Sequence, residues 1–393
     1  MTIKTAVFSL LLPLCIFVEG QRAQGGGDYS EVLFRRITGV PLSSRRYDYE
    51  KFRTLAEKKD WKSFAILASQ SSEFINQTVL QWATVYYTSN ASAKIPLDDA
   101  LAMIVGSVRD NLDARSLLTG NYSYGPISVV GLSPNLKNND AYELLEQRGL
   151  DLRSSLQNLS PQWPVAGFED AAGLLTTRSF AAKNYAAGTN RRALRDVFSS
   201  FLCRPIETWR TPGLPVTFIH QDVDRAPGGN ARVFQQECRT CHSAMDGNLG
   251  AFAHFNYLED EFITDKGIQP KFLQHAEVYP EGHATLDDSW VNFLAKTNQS
   301  TGTSFGWRGV QEGHGINEFG KMVANSQSFS RCLVKRTYAA MCNEDLELRD
   351  LKITQLADQF ESADGYGLRD LFLRVVLHPD CIKKTPVFES RGN

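Results

Sequence analysis

Apolar side chains recur three and four positions apart along most of this chain, the period of helices packed on one face. Tyr49, Phe52, Leu55 and Ala56 form one such stripe, and Trp61, Phe64, Ala65 and Leu67 a second. Phe74, Val79, Trp82, Val85 and Tyr86 continue the pattern. Pro96-Leu97-Asp98-Asp99 reads as a helix start, with acidic residues in the first turn ahead of Leu101, Ile104 and Val105. Asn121 to Asn139 is rich in Tyr, Gly, Pro, Ser and Asn and predicts a loop or short hairpin. Helical spacing returns over Asp140 to Gln157, is broken by Pro161 and Pro164, and resumes over Gly167 to Asn184. Thr189 or Asn190 then caps a helix running through Leu194, Val197, Phe198 and Phe201 to Cys203.

Arg204 to Asn230 changes character: Pro205, Pro212, Pro215 and Pro227 sit among Gly213, Gly228 and Gly229, the composition of a connection. Ala231 to Arg239 predicts a short helix. Gly247 to Gln311 is loop-rich, with one helix expected over Leu286 to Leu294. Asn317 to Ala324, Phe329 to Met341, Leu346 to Phe360 and Leu368 to Leu377 predict further helices. The pattern as a whole is that of a mostly α protein.

The helix at Ala231 delivers Cys238-Arg239-Thr240-Cys241-His242. Cys-x-x-Cys-His is the c-type haem attachment pattern. Two thiols three positions apart on one turn can each add to a haem vinyl group, and the adjacent imidazole is then held beneath the ring towards iron. With seven Cys and seven His in 393 residues, roughly 0.002 chance matches are expected, so coincidence is the weakest alternative. A zinc site would want a second ligand pair at similar spacing, and no other Cys-x-x-Cys exists. A redox disulfide would want a βαβ setting. The reading is one covalent haem c per chain, held by Cys238, Cys241 and His242.

That chemistry requires export, and residues 1–20 supply the pattern for it. Lys4 is followed by an apolar run from Ala6 to Val18, and Val18-Glu19-Gly20 offers a cleavage site. The run is too short to span a bilayer comfortably and suits a cleaved signal peptide, with an uncleaved anchor as the alternative. No later stretch is long and apolar enough to span a membrane. The net charge of −2, with Lys and Arg dispersed, carries no nucleic-acid footprint. With Cys15 in the signal and two cysteines assigned to haem, Cys203, Cys332, Cys342 and Cys381 remain, an even number for an oxidising compartment. Three pairings are open. Cys342 with Cys381 and Cys203 with Cys332 is the preferred one, and four buried, unpaired thiols the alternative.

Ala172-Gly173-Leu174-Leu175-Thr176-Thr177-Arg178, the Asn190-Arg191-Arg192 helix ending in Phe201-Leu202-Cys203, and the later Cys-x-x-Cys-His form a set. To these belong Met245-Asp246-Gly247, Phe319-Gly320 and Ser328-Phe329-Ser330-Arg331-Cys332. Together they resemble the planctomycete-type cytochrome-c-like proteins: secreted bacterial proteins with a helical region ahead of one c-type haem domain. The resemblance covers roughly residues 165 to 345 and implies a c-haem protein, but no substrate or partner. The expected organisation is a signal peptide (1–20), a flexible leader (21–46), a helical domain (47–203) and a Pro/Gly-rich connection (204–230). A cytochrome-c-like haem domain (231–345) and C-terminal helices with a tail (346–393) follow.

The ligand opposite His242 decides the redox range. Met245 follows His242 too closely to reach the far side of the ring. Met322 precedes the helix expected to close the haem domain and is the candidate distal ligand. His254, His275, His283 and His314 compete with it, and an open site is the third case. The functional expectation is an exported, periplasmic or secreted bacterial monohaem cytochrome that passes single electrons to or from a redox partner protein. The alternatives are a haem enzyme or small-ligand sensor with an open distal site, favoured by the length of chain ahead of the motif, and an envelope-associated binding module.

Overall fold

A computed structural model describes residues 29–45, 47–88, 96–127, 131, 133–162, 170–209, 213–273, 276–295 and 305–382. The expected signal peptide, Cys15, the start of the leader, His275 and the last residues of the tail lie outside these. The chain is mostly helical, with three short two-stranded antiparallel ladders among the described residues. No helix there is long and apolar enough to cross a membrane.

The helices follow the apolar stripes. The first part contains α1 (Tyr29–Thr38), α2 (Tyr49–Glu57), α3 (Trp61–Ser69), α4 (Leu80–Thr88) and α5 (Asp99–Arg109). Helix α5 starts where expected, with Asp99 in its first turn; Asp98 stands one place earlier as the cap, its carboxylate accepting from Leu101 N at 2.7 Å. Asp99 reaches across to accept from Arg178 N and Ser179 N, at 2.6 and 3.0 Å, at the start of a later helix. Strand β1 (Ser123–Pro126) does not fold back locally; it pairs with β2 (Leu156–Leu159), on either side of α6 (Asp140–Gln147). The helical period expected through Gln157 therefore ends early, because Leu156 and Gln157 take their backbone partners from β1.

One expectation for the leader is corrected. Residues 29–38 of it form α1, not flexible chain: Leu33, Phe34 and Ile37 are buried in the core. The buried Arg36 donates from Nη1 to the Met341 carbonyl at 2.6 Å, tying this helix to the far end of the chain.

Beyond the midpoint come α7 (Arg178–Asn184), α8 (Arg191–Phe201), α9 (Arg239–Met245) and, later, α10 (Gly315–Ala324). The last elements are α11 (Gln327–Cys342), α12 (Leu351–Ser362) and α13 (Leu368–Val376). Helix α11 packs against α12 and α13, and α13 packs back on α1, α3 and α5. A single hydrophobic cluster consequently runs from Leu33 to Cys381 and includes Trp209 and Leu214 of the expected connection. Two disulfides join this body: Cys203 at the end of α8 to Cys332 in α11, and Cys342 at the end of α11 to Cys381. Both agree with the preferred pairing.

The helix expected over Leu286 to Leu294 is absent. Ser289–Val291 is strand β5, paired with β6 (Glu312–His314). Its backbone lies against the 3-10 segment Asp246–Phe252, so close that a Cβ on Gly250 would stand 1.8 Å from the Ser289 carbonyl oxygen. Strands β3 (Phe255–Leu258) and β4 (Glu261–Thr264) form the remaining ladder.

Candidate haem-attachment site

Asn230 starts the segment that carries the cysteines, its side chain accepting from Arg232 N at 3.0 Å. A π-helical stretch, Phe234–Cys238, precedes α9. Such widened turns re-aim side chains and recur at functional sites. Cys238 and Cys241 are both half-buried and outside any disulfide, whereas the other described cysteines are paired. Burial, with Glu207 and Cys238 adding to it, pushes the Cys241 thiol up from its ordinary value. Among the described residues no three His, Cys, Asp or Glu side chains gather as a metal-ion site, so Cys238, Cys241 and His242 do not converge as a closed zinc site would require.

Cys238 packs against a small apolar cluster, Ile219, Val223 and Phe234, separate from the main core. The Arg225 guanidinium lies beside it, 3.6 Å from the Tyr279 ring centroid and 5.2 Å from that of Phe234. Arg225 donates from Nη2 to the Ile219 carbonyl at 3.0 Å. Burial lowers its pKa, and its Nε has no partner among the described residues.

His242 sits 24 % exposed on α9, one position after Cys241. Its Nδ1 is buried, and the Asp246 Oδ1 stands 3.4 Å away, one helical turn on. That separation exceeds a good hydrogen bond, and no closer acceptor satisfies the nitrogen. Asp246 is fully buried and held by Arg191, which donates from Nε to Oδ1 and from Nη2 to Oδ2, both at 2.9 Å. The backbone N–H of His220 adds a bond to Oδ2 at 3.0 Å. Arg191 also grips Asp222 through Nη1 and Nη2, both at 2.7 Å. Burial alone would raise the Asp246 carboxyl; the Arg191 guanidinium and its bonds, with His242 nearby, outweigh it and hold it well below the carboxylate range.

The buried His220 completes this wall. Its Nε2 is 2.7 Å from the Thr285 hydroxyl, and burial brings its pKa down to about 4. His283 runs alongside in a parallel backbone bridge, its ring 6.1 Å from that of His220 and 4.7 Å from Phe218. Comparison of the chain with protein-family models, curated proteins and solved structures finds no match.

The distal candidates are scattered. Met322, on α10, is 2 % exposed in the main core, and its sulfur accepts from Asn292 Nδ2 at 3.2 Å. Met245 is also buried in that core. His254 and His314 line a different place, a cleft of about 550 Å³ that also includes Asp170, Asp288, Glu318 and Lys321. There the Asp288 carboxylate lies 2.9 Å from His314 Nδ1 and 3.5 Å from His254 Nε2, and the hydrogen bond to Asp288 raises the His314 pKa. Of the three described histidines weighed from sequence, His254, His283 and His314, His283 alone stands on the wall around Asp246.

Sequence reasoning had no role for Arg191, Asp222 and His220, and noted Asp246 only within a string of matches. One signal was legible: His242 and Asp246 are four apart, the spacing that places two side chains on one helix face. Arg191 is 55 residues from Asp246, beyond any local pattern.

Proposed function

We propose that the chain is an exported c-type cytochrome with one covalent haem, and that it transfers single electrons with a partner protein. The observation that carries this reading is local. Cys238 and Cys241 are the described cysteines left out of disulfides, on one turn with a histidine whose Nδ1 faces a buried carboxylate. That arrangement suits thioether attachment at both thiols and leaves His242 Nε2 as the donor towards iron. The apolar cluster under Cys238 offers a wall for a flat hydrophobic ring, and Arg225 beside it a cation for a carboxylate edge. When bound, haem supplies the one-electron chemistry; the chain supplies ligation, burial and access. The two disulfides support an oxidising compartment, periplasmic or extracellular, where haem c is assembled.

Within this reading Met322 is the proposed distal ligand from its place ahead of α11, and reaching the iron requires its sulfur to leave Asn292 and the main core. Protein matured in a host with periplasmic haem-c assembly is expected to keep its colour through acid-acetone extraction. Cys238→Ala combined with Cys241→Ala is expected to lose all of it. The ferric holoprotein is expected to show the weak far-red band of methionine-ligated haem, lost in Met322→Ala. Colourless wild-type protein would overturn the haem reading. Retained colour with ready carbon monoxide binding would overturn Met322 alone and favour a haem enzyme.

A further inference from the structure

The network behind His242 contains more charge than packing requires. Asp222 and Asp246 contribute two negative charges and Arg191, which bonds both, one positive charge; the further cation Arg225 attracts Asp246 through space without neutralising it in a direct pair. Buried charge of this kind is costly unless something answers it. His220 does not, because burial holds it neutral near physiological pH and its backbone, not its ring, contacts Asp246. The group that faces Asp246 with an unsatisfied buried nitrogen is His242, at 3.4 Å. A closure of a few tenths of an ångström makes that contact a charge-assisted hydrogen bond.

Resting on the haem reading, we infer that Asp246 is the positioning residue of the proximal imidazole: it accepts the Nδ1 proton of His242 and sets the reduction potential through its charge, with Arg191 as moderator. The bond fixes the tautomer in which Nε2 carries the lone pair and holds the ring's orientation. A carboxylate behind the ring makes the imidazole more electron-donating and favours the ferric state, lowering the potential. Arg191 draws on the same carboxylate through both oxygens and limits the donation. Asp222 in turn competes for Arg191. The device is thus a graded one, with each contact opposing the one before it.

The test is a spectroelectrochemical titration of haem-bearing wild type, Asp246→Asn and Arg191→Gln. Asp246→Asn is expected to raise the potential, and Arg191→Gln to lower it. The first sign separates the proposal from loosened packing, because water admitted to the haem stabilises the ferric charge and lowers the potential. An unchanged or lowered potential in Asp246→Asn, or a raised one in Arg191→Gln, overturns the inference. Should Asp246→Asn not fold, proton NMR of the ferrous wild type decides, because a lowered potential in Arg191→Gln is also what loosened packing gives. An exchange-protected His242 Nδ1 proton is expected there, and its absence counts against Asp246. Wild type without covalent haem removes the haem reading and this inference together; haem-bearing wild type with no shift in Asp246→Asn removes the inference alone.

Discussion

Around Phe372 and around Cys238 the same chain is held together by different means. The Phe372 ring meets Phe74 edge-on at 5.6 Å and Trp82 at 5.0 Å, and Trp82 stacks on Tyr86 at 4.9 Å. These side chains come from both ends of the sequence and belong to one large apolar core. Cys238 has three buried apolar neighbours in its own cluster, and the order around it comes from Arg191 clamped between Asp222 and Asp246. Apolar burial is non-directional and supports a fold without a ligand. A charged, hydrogen-bonded wall specifies positions, and it leaves room for a hydrophobic partner to complete the packing. The comparison teaches that the helical body is held by apolar burial drawn from distant parts of the chain, whereas the segment carrying the cysteines is positioned largely by charge and hydrogen bonds.

That contrast can be broken, most severely in the body. Phe372→Ala is expected to cost about 3–5 kcal/mol in denaturant unfolding, the range for deleting a buried aromatic. Folded Phe372→Ala protein is expected to keep the haem spectrum of the wild type. A change of under about 1 kcal/mol would show that the core yields around the cavity and that the contrast is overdrawn.

Opening the C-terminal bridge is next in size. Cys342→Ala with Cys381→Ala releases a loop closed over a separation of 39 residues and is expected to cost about 2–4 kcal/mol. The measurement is thermal unfolding under non-reducing conditions. Altered haem absorption in that variant would mean that the two regions are coupled, against the comparison.

The smallest effect concerns charge inside the helical body. Burial and the neighbouring Asp99 carboxylate raise Asp98 from 3.8 to about 7. Between those values the folded chain holds a proton that the unfolded chain has released, so stability falls as pH rises through that window. Above it both states are ionised and the full penalty applies. Asp98→Asn keeps a capping oxygen for Leu101 N and removes the charge. It is expected to stabilise the protein at pH 8 by about 1–3 kcal/mol and to flatten the slope between pH 4 and 7. An unchanged slope would place the titration on another group.

Much of the helical body was legible because its determinants are local. The stripe from Leu101 to Val105 and the capping position of Asp98 lie within a few turns of each other. The Cys-x-x-Cys-His turn is legible for the same reason, since thiol spacing and imidazole position belong to one helix. Strand β5 was misread as a helix because Trp290 and Val291 carry no period of their own; their partners are Glu312 and Gly313. Helix α1 hid behind a glycine-rich leader; its apolar face packs on α2 and α3, where Phe34 meets Phe52, and on the far end of the chain, where Arg36 meets Met341 at a separation of 305. By itself, then, the sequence determined a mostly helical chain and the Cys-x-x-Cys-His turn on it. Tertiary structure alone decided that Arg191 and Asp222 stand behind Asp246, because a buried charge takes its partners from whatever the fold brings within about 3 Å, regardless of distance along the chain.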